Sequence, residues 1–225
     1  MTGRAHTACL GSPRFYSAGI VLANEALGNP GVQIVQPRHS MSPPPRHWLR
    51  RLLPFAQFAL TQAAWFACVL GAARGQPGWG IAVAAVVVVL NFLVSDRRRA
   101  DAALLLLALA IGLAWDTLLL RLQVVVYAAP GPLAGWAPGW ILALWALFAV
   151  LVRQPMAWLH GRPLLAAALG AVGGPLSYAS AVALGAGTLP DRPLALAVLA
   201  VGWAAITPVL TEAARALSAR ATAPG

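Results

Sequence analysis

The sequence of 225 residues contains no lysine and few charges of any kind. Only 10% of its residues are charged, whereas about 25% is usual in soluble globular domains. Apolar residues make up 60% of the chain and are gathered into long runs. This composition excludes an ordinary soluble domain and predicts an integral membrane protein. The use of arginine for all 16 basic residues is typical of a GC-rich bacterial genome.

The chain also lacks the motifs that carry most catalytic and metal chemistry. Its two cysteines, Cys9 and Cys68, give neither a metal-binding spacing nor an evident disulfide pair. We find no Cys-x-x-Cys, no His-x-x-x-His, no Gly-x-Ser-x-Gly and no phosphate-binding loop. We therefore expect no metal, no cofactor and no catalytic residue. Enzymatic activity stays open, but the sequence favours a non-catalytic role.

Six apolar runs predict an all-α membrane bundle of six transmembrane helices. Crossing about 30 Å of hydrocarbon takes roughly 20 residues at 1.5 Å per residue. The predicted spans cover about residues 52–73, 80–94, 102–122, 140–152, 163–184 and 194–210, and the last helix continues to Ser218 as a polar segment. Residues 46–218 are thus predicted to form one transmembrane domain.

The two ends of the chain differ from this domain. Residues 1–45 have no helical or strand period and end in Ser42 followed by three prolines. Two interpretations stay open: a disordered cytosolic tail, or an extension upstream of a true translation start at Met41. Residues 219–225 are predicted to form a second disordered tail.

The arginines are distributed unequally between the two sides of the predicted bundle. Ten lie in the two terminal flanks, the second–third loop and the fourth–fifth loop, whereas the opposite loops hold Arg74 and Arg192. Cytoplasmic loops carry the excess of arginine, so both termini are predicted to face the cytoplasm of a bacterial inner membrane. The arginines lie at helix ends, so we expect no nucleic-acid partner. The expected partners are the lipid bilayer and, as an open alternative, another membrane protein or further copies of this chain.

Asp116 is the acidic residue that lies deepest in a predicted span. It is about fourteen residues, or about 21 Å, into the third span, and Ser177 and Tyr178 lie at the same depth in the fifth. We predict an intramembrane polar site in which one of these hydroxyls donates to the Asp116 carboxylate. Gln62 and Trp65 share a face of the first span and complete the predicted site. The alternatives for Asp116 are a structural lock, a substrate or proton site, and an interfacial position.

The fifth span carries a segment rich in glycine and proline. Gly170, Gly173 and Gly174 are predicted to let another helix approach closely, with Gly170 and Gly174 on one small-residue face. Pro175 has no N–H for the carbonyl of Ala171, so a helix break or kink is predicted there. The face serves internal packing, dimerisation or a pocket, and the sequence leaves these alternatives open.

Several segments together resemble a known family. They are residues 62–66, 69–72, 116, 140–149, 158–159, 170–178 and 184–186. In this order they resemble the bacterial inner-membrane proteins classed as domain of unknown function 2878, over about residues 52–210, and Gly-Gly-Pro-Leu-Ser-Tyr at 173–178 is the most specific part. The resemblance implies a multi-pass fold and no established activity. The family has an Asn-His-Ser-like stretch where this chain has Arg153 to Met156, and His160 is not a matched replacement for that histidine.

Three functions remain open. The first is a non-catalytic accessory or scaffold protein, linked to membrane-lipid modification or stress. The second is a small transporter or permease with a site around Asp116 and the Pro175 break, because intramembrane acids and irregular helices form such sites. The third is an intramembrane enzyme that acts on lipid, with Asp116 or Tyr178 in acid–base chemistry.

Overall fold

The computed structural model describes the backbone of residues 47–220 and the side chains of residues 52–219. Its helices are α1 His47–Ala73, α2 Pro77–Val94, α3 Arg98–Arg121, α4 Gly139–Arg153, α5 Pro163–Ala183 and α6 Arg192–Arg220, with a short 3-10 turn at Ala157–Leu159. The all-α prediction is confirmed for the described part. The predictions for residues 1–45, including the start at Met41, lie outside the described residues, as does the tail 221–225. The helix α6 runs past its predicted end at Ser218.

Among the described helices, five are long and apolar enough to cross a membrane, and α4 is the exception. Its 15 residues span about 22 Å, which is less than the roughly 30 Å of a hydrocarbon core. Large apolar side chains such as Leu164 (87% exposed) and Val94 (79% exposed) lie on the outer surface. Exposed apolar surface of this kind is typical of helices that lie in a membrane.

The short helix α4 lies at the centre of the bundle. It packs against α1, α2, α3 and α6, while α1 packs on α2, and α5 packs chiefly on α6. The α3–α4 connection carries a two-residue strand, β1 (Val126–Tyr127), which pairs antiparallel with β2 (Gly187–Thr188) in the α5–α6 connection. This pairing ties two loops together at one end of the bundle.

Glycines allow tryptophan rings to pack directly on helix backbones. A Cβ atom on Gly112 would lie 2.2 Å from Cγ of Trp145, so the α4 ring rests on the α3 backbone. A Cβ atom on Gly174 would lie 2.2 Å from Cγ of Trp203, so the α6 ring rests on α5 in the same way. A residue with a side chain cannot replace these glycines unless the rings move, which explains the small residues in an otherwise bulky apolar sequence.

The glycine face of α5 serves internal packing. A Cβ atom on Gly170 would lie 2.2 Å from the carbonyl oxygen of Trp203, so α5 and α6 are in backbone contact. The predicted packing role of Gly173 is wrong: a Cβ atom there would meet no atom of a neighbouring element within 4 Å, because Gly173 points about 100° away from Gly174. The helix α5 continues through Pro175 without an interruption, whereas the predicted kink stays a prediction. A proline removes a single N–H donor, and helices packed in a membrane tolerate that loss.

We predict that Gly174→Ala destabilises the protein, because the added methyl group would lie against the Trp203 ring. Overpacking of this kind costs about 1–3 kcal/mol. Gly173→Ala is the matched control on the same helix and should be neutral or slightly stabilising, since alanine is the better helix former by about 1 kcal/mol. Thermal unfolding in detergent micelles compares the two. Equal melting temperatures would contradict the proposed contact.

Candidate functional site

The carboxylate of Asp116 is fully buried and accepts three hydrogen bonds from described side chains. The Tyr127 hydroxyl donates to Oδ1 at 2.5 Å, the Tyr178 hydroxyl donates to the same oxygen at 2.6 Å, and Trp145 Nε1 donates to Oδ2 at 2.6 Å. These donors come from the α3–α4 connection, α5 and α4. One carboxylate on α3 therefore holds three other segments of the chain.

Of the two hydroxyls that were predicted to contact Asp116, one does so in the structure. Tyr178 contacts the carboxylate, whereas the Ser177 hydroxyl accepts a hydrogen bond from Trp65 Nε1 at 3.2 Å. Successive helical residues point about 100° apart, so Ser177 and Tyr178 reach different partners. Gln62 lies in the wall of a neighbouring cavity and has no hydrogen bond to Asp116. The role of the five residues as a functional site stays a prediction.

The sequence did not indicate the other two donors, Tyr127 and Trp145. Tyr127 lies outside the helices, and its position depends on the pairing of its strand with Gly187–Thr188. Trp145 is one of nine tryptophans in the chain, and its spacing does not single it out. A signal for Tyr127 was available: it is a phenol in a charge-free connection that follows Asp116 by eleven residues.

An aromatic cluster extends from the Asp116 hydrogen bonds to α6. The Trp145 ring stacks on Trp203 with centroids 5.0 Å apart and planes at 11°. Phe148 and Tyr178 contact the same Trp203 ring edge to face, with centroids at 5.1 Å and 6.4 Å. The side chains that donate to Asp116 are thus also held by aromatic contacts, which fix the direction of each donor.

A cavity of about 710 Å³ lies beside this cluster, between α1, α4, α5 and α6. Trp145 and Tyr178 belong to its wall, whereas Asp116 lies behind them and does not line the cavity. Most of the lining is aliphatic or aromatic. Side-chain hydroxyl and amide groups also line it, from Thr61, Gln62, Ser177, Ser180 and Thr207. Within the described part of the chain, no charged side chain contributes to this wall.

A second polar cluster lies near the end of α4 and was missed at the sequence level. Arg153 forms an ion pair with Asp101, which also accepts a hydrogen bond from the Ser95 hydroxyl. Arg153 Nη1 donates to Ser218 Oγ at 2.9 Å, and Arg97 Nη1 donates to the Ser218 carbonyl at 3.2 Å. These contacts join the α2–α3 turn to α3, α4 and α6 at one end of the bundle.

The connection between α4 and α5 is held by backbone contacts. A ring nitrogen of His160, Nε2, lies 3.0 Å from the Val152 carbonyl oxygen, and the Glu212 carboxylate accepts from the Gly161 N–H at 2.7 Å and from Arg215 at 2.6 Å. Across residues 52–219, no group of three or more His, Cys, Asp and Glu side chains is placed to hold a metal ion. The contact of His160 with the Val152 carbonyl joins this loop to the last turn of α4.

We predict that Tyr127→Phe lowers the free energy of unfolding, because it removes a buried donor from a carboxylate. Hydrogen bonds to charged groups contribute about 1.5–3 kcal/mol. In an Asp116→Asn background the same change should cost less, since a neutral amide is a weaker acceptor. Unfolding of the four proteins in one detergent measures the difference. Additive effects of the two substitutions would show that the Tyr127–Asp116 bond carries no stability.

A family model described as "Protein of unknown function (DUF2878)" matches residues 54–209. No curated protein and no solved structure matches the chain. The matched region runs from α1 into α6 and contains Asp116 together with its three donors. The match spans well over half of the chain, as the sequence resemblance indicated. The chain therefore belongs to the DUF2878 family of proteins of unknown function.

Proposed function

We propose that the protein is a non-catalytic integral membrane component, an accessory or scaffold in a pathway of membrane-lipid modification or stress. The observation that carries this proposal is the burial of Asp116 behind three hydrogen-bond donors. A catalytic acid or base must reach its substrate directly or through one water molecule. The Asp116 side chain has no exposed surface and its two oxygens already have partners, which supports a structural lock.

The energetics of the membrane interior support the same role. A carboxylate in an apolar environment is costly unless hydrogen bonds compensate it. Three donors on three separate segments supply that compensation, and they do so only when α4, α5 and the α3–α4 connection are all in place. The buried carboxylate therefore favours the one arrangement of the helices in which all three donors reach it.

We also propose six membrane crossings with both termini in the cytoplasm of a bacterial inner membrane. The contacts of Arg97, Arg153 and Ser218 support this topology, because they gather the start of α3 and the ends of α4 and α6 at one end of the bundle. That arrangement makes α4 run antiparallel to α3. The arginine excess on this side supports its cytoplasmic placement.

A small permease is the second candidate, and the cavity favours it. Transport would depend on Gln62, Ser177 and Tyr178, which lie in the cavity wall, rather than on Asp116, which does not. Solute uptake into proteoliposomes supports this candidate if Gln62→Ala abolishes the uptake while the variant protein is present at the normal amount. Uptake equal to that of empty liposomes contradicts it.

We predict that Asp116→Asn lowers abundance in the membrane severalfold, because an amide keeps one acceptor oxygen for the two tyrosines and places an N–H donor against Trp145 Nε1. Asp191→Asn is the matched control. Asp191 is exposed and accepts from the Leu194 N–H at 3.1 Å, and asparagine caps a helix as well as aspartate does. Quantitative blotting of membranes measures both variants. A normal level of Asp116→Asn together with failure to complement a deletion strain would contradict a purely structural carboxylate.

The topology is tested with single cysteines at exposed positions in a background that carries Cys9→Ser and Cys68→Ala. A maleimide that cannot cross the inner membrane should label Gln76→Cys and Leu133→Cys in intact cells, because both lie in the connections predicted to be external. Arg98→Cys and Arg162→Cys should react only after the membrane is disrupted. Labelling of Arg162→Cys in intact cells would show that α4 does not cross.

A further inference from the structure

We infer that a face formed by Arg121 at the end of α3 and Trp136 in the α3–α4 connection binds the phosphate group of a membrane phospholipid. The inference goes beyond the accessory role, because it names a ligand and the side chains that contact it. It does not depend on which side of the membrane this end of the bundle faces. A phosphodiester carries one negative charge, which matches one guanidinium group among apolar side chains.

The α3–α4 connection packs along the last turn of α3. The N–H of Ala137 donates to Thr117 Oγ1 at 3.1 Å. Arg121 Nε donates to the Gly135 carbonyl, also at 3.1 Å. Residues 122–152 include no Arg, Lys, Asp or Glu. An uncharged connection whose backbone groups bond to a helix is suited to the boundary between lipid headgroups and the apolar layer.

Two contacts hold the guanidinium of Arg121 in place. Its Nε is bonded to the Gly135 carbonyl, and its Cζ lies 5.3 Å from the centroid of the Trp136 ring. The turn that presents this carbonyl needs a glycine, because φ at Gly135 is 74°. The contacts use Nε and one face of the guanidinium, so both Nη atoms stay available to a ligand.

Most of the hydrogen-bonding capacity of Arg121 is not used by the described chain. Arginine carries five N–H donors, and the four on the Nη atoms of Arg121 have no partner among the described residues. The side chain is exposed and forms no ion pair with a described carboxylate. Its place in the last turn of α3 suits the helix dipole, but that does not require a fixed guanidinium. A fixed pair of Nη groups matches two oxygens of a phosphate.

Exposed apolar residues continue from Arg121 toward the middle of α3. Leu122 follows it in the chain and is 62% exposed, and Leu118 lies about one turn earlier and is 48% exposed. Ala114 and Ala110 extend the exposed face at intervals of four residues, the spacing of neighbours on one side of a helix. Small side chains on this face leave room for an acyl chain that descends from a phosphate at Arg121.

The single cation favours a phospholipid over an acidic segment of a protein partner. Arg121 is the one charged residue within 117–138, whereas a segment with several carboxylates needs several cations. Trp136 is 44% exposed and Leu133 is 66% exposed, and tryptophan is enriched at the headgroup level of membranes. The face therefore combines a phosphate contact with apolar surface, and the surrounding bilayer supplies molecules that have both parts.

The test measures the binding of dioleoylphosphatidylglycerol to the delipidated full-length protein by native mass spectrometry. We expect Arg121→Gln to lower the affinity by about threefold to tenfold, the effect of losing one arginine near a membrane surface. Arg192→Gln is the matched control and should bind as wild type does. Arg192 is exposed, begins α6 at the same end of the bundle, and has no side-chain hydrogen bond with a described residue. An equal loss in both variants would show that binding follows net charge alone, which overturns the inference.

Arg121→Lys separates the paired donors from the charge, and it replaces Arg121→Gln if that variant does not fold. Lysine keeps the charge but lacks the planar pair of N–H groups. We expect its affinity to fall by about twofold to fivefold, because two parallel hydrogen bonds are replaced by a point charge. Wild-type affinity in Arg121→Lys overturns the paired contact. Melting temperatures in the same detergent identify the variants that are folded.

Two further ligands identify the group that is bound. Dioleoylglycerol has the same chains without the phosphate, so we expect weaker binding that Arg121→Gln does not change. Equal binding of the two lipids overturns the phosphate contact. Displacement of phosphatidylglycerol by an equal concentration of glycerol phosphate assigns the site to a soluble phosphate ester and overturns the choice of a lipid. Binding of phosphatidylglycerol that does not depend on Arg121 overturns the inference and favours a protein partner on this face.

Discussion

Four segments of the described chain meet at one buried carboxylate, that of Asp116. Asp116 is fully buried, and its oxygens accept from Tyr127, Tyr178 and Trp145. Between helices in a membrane, apolar surface supplies little discrimination, because lipid tails are as apolar as the side chains that they would replace. A buried acceptor with donors on three segments supplies the missing specificity: any other placement of those segments leaves the carboxylate without partners.

Close approach of tryptophan rings to helix backbones provides the second constraint. The ring of Trp145 donates to Asp116, rests on Gly112 and stacks on Trp203, which in turn rests on Gly174. This series of contacts crosses from α3 through α4 to α6 and α5. Because each ring-on-backbone contact needs a residue without a side chain opposite the ring, Gly112 and Gly174 are explained by packing rather than by flexible backbone.

Much of the fold was predictable from the sequence, and the limits have physical causes. The positions of the six described helices follow from apolar runs, and the contact of Asp116 with Tyr178 follows from their equal depth in helices of the same direction. Tyr127 was a possible partner of Asp116 by its place in the connection that follows α3, but its position is set by strand pairing between two distant loops, which the sequence pattern does not indicate. The continuity of α5 through Pro175 depends on packed neighbours, which local rules do not contain. The cavity depends on the distance of α5 from α1 and α4. Helical periodicity in the sequence carries no information on that distance.

The hydrogen bond from Trp65 to Ser177 has a further consequence for the orientation of α5. It joins α1 to α5 directly beside the residue that binds Asp116, so α5 is held to two neighbours by adjacent residues of a single turn. Successive helical residues point about 100° apart, so the two bonds hold α5 from two directions. A rotation of α5 about its own axis breaks both bonds at once. The pair therefore fixes the rotation of α5, and with it the face that carries Gly170 and Gly174 toward α6.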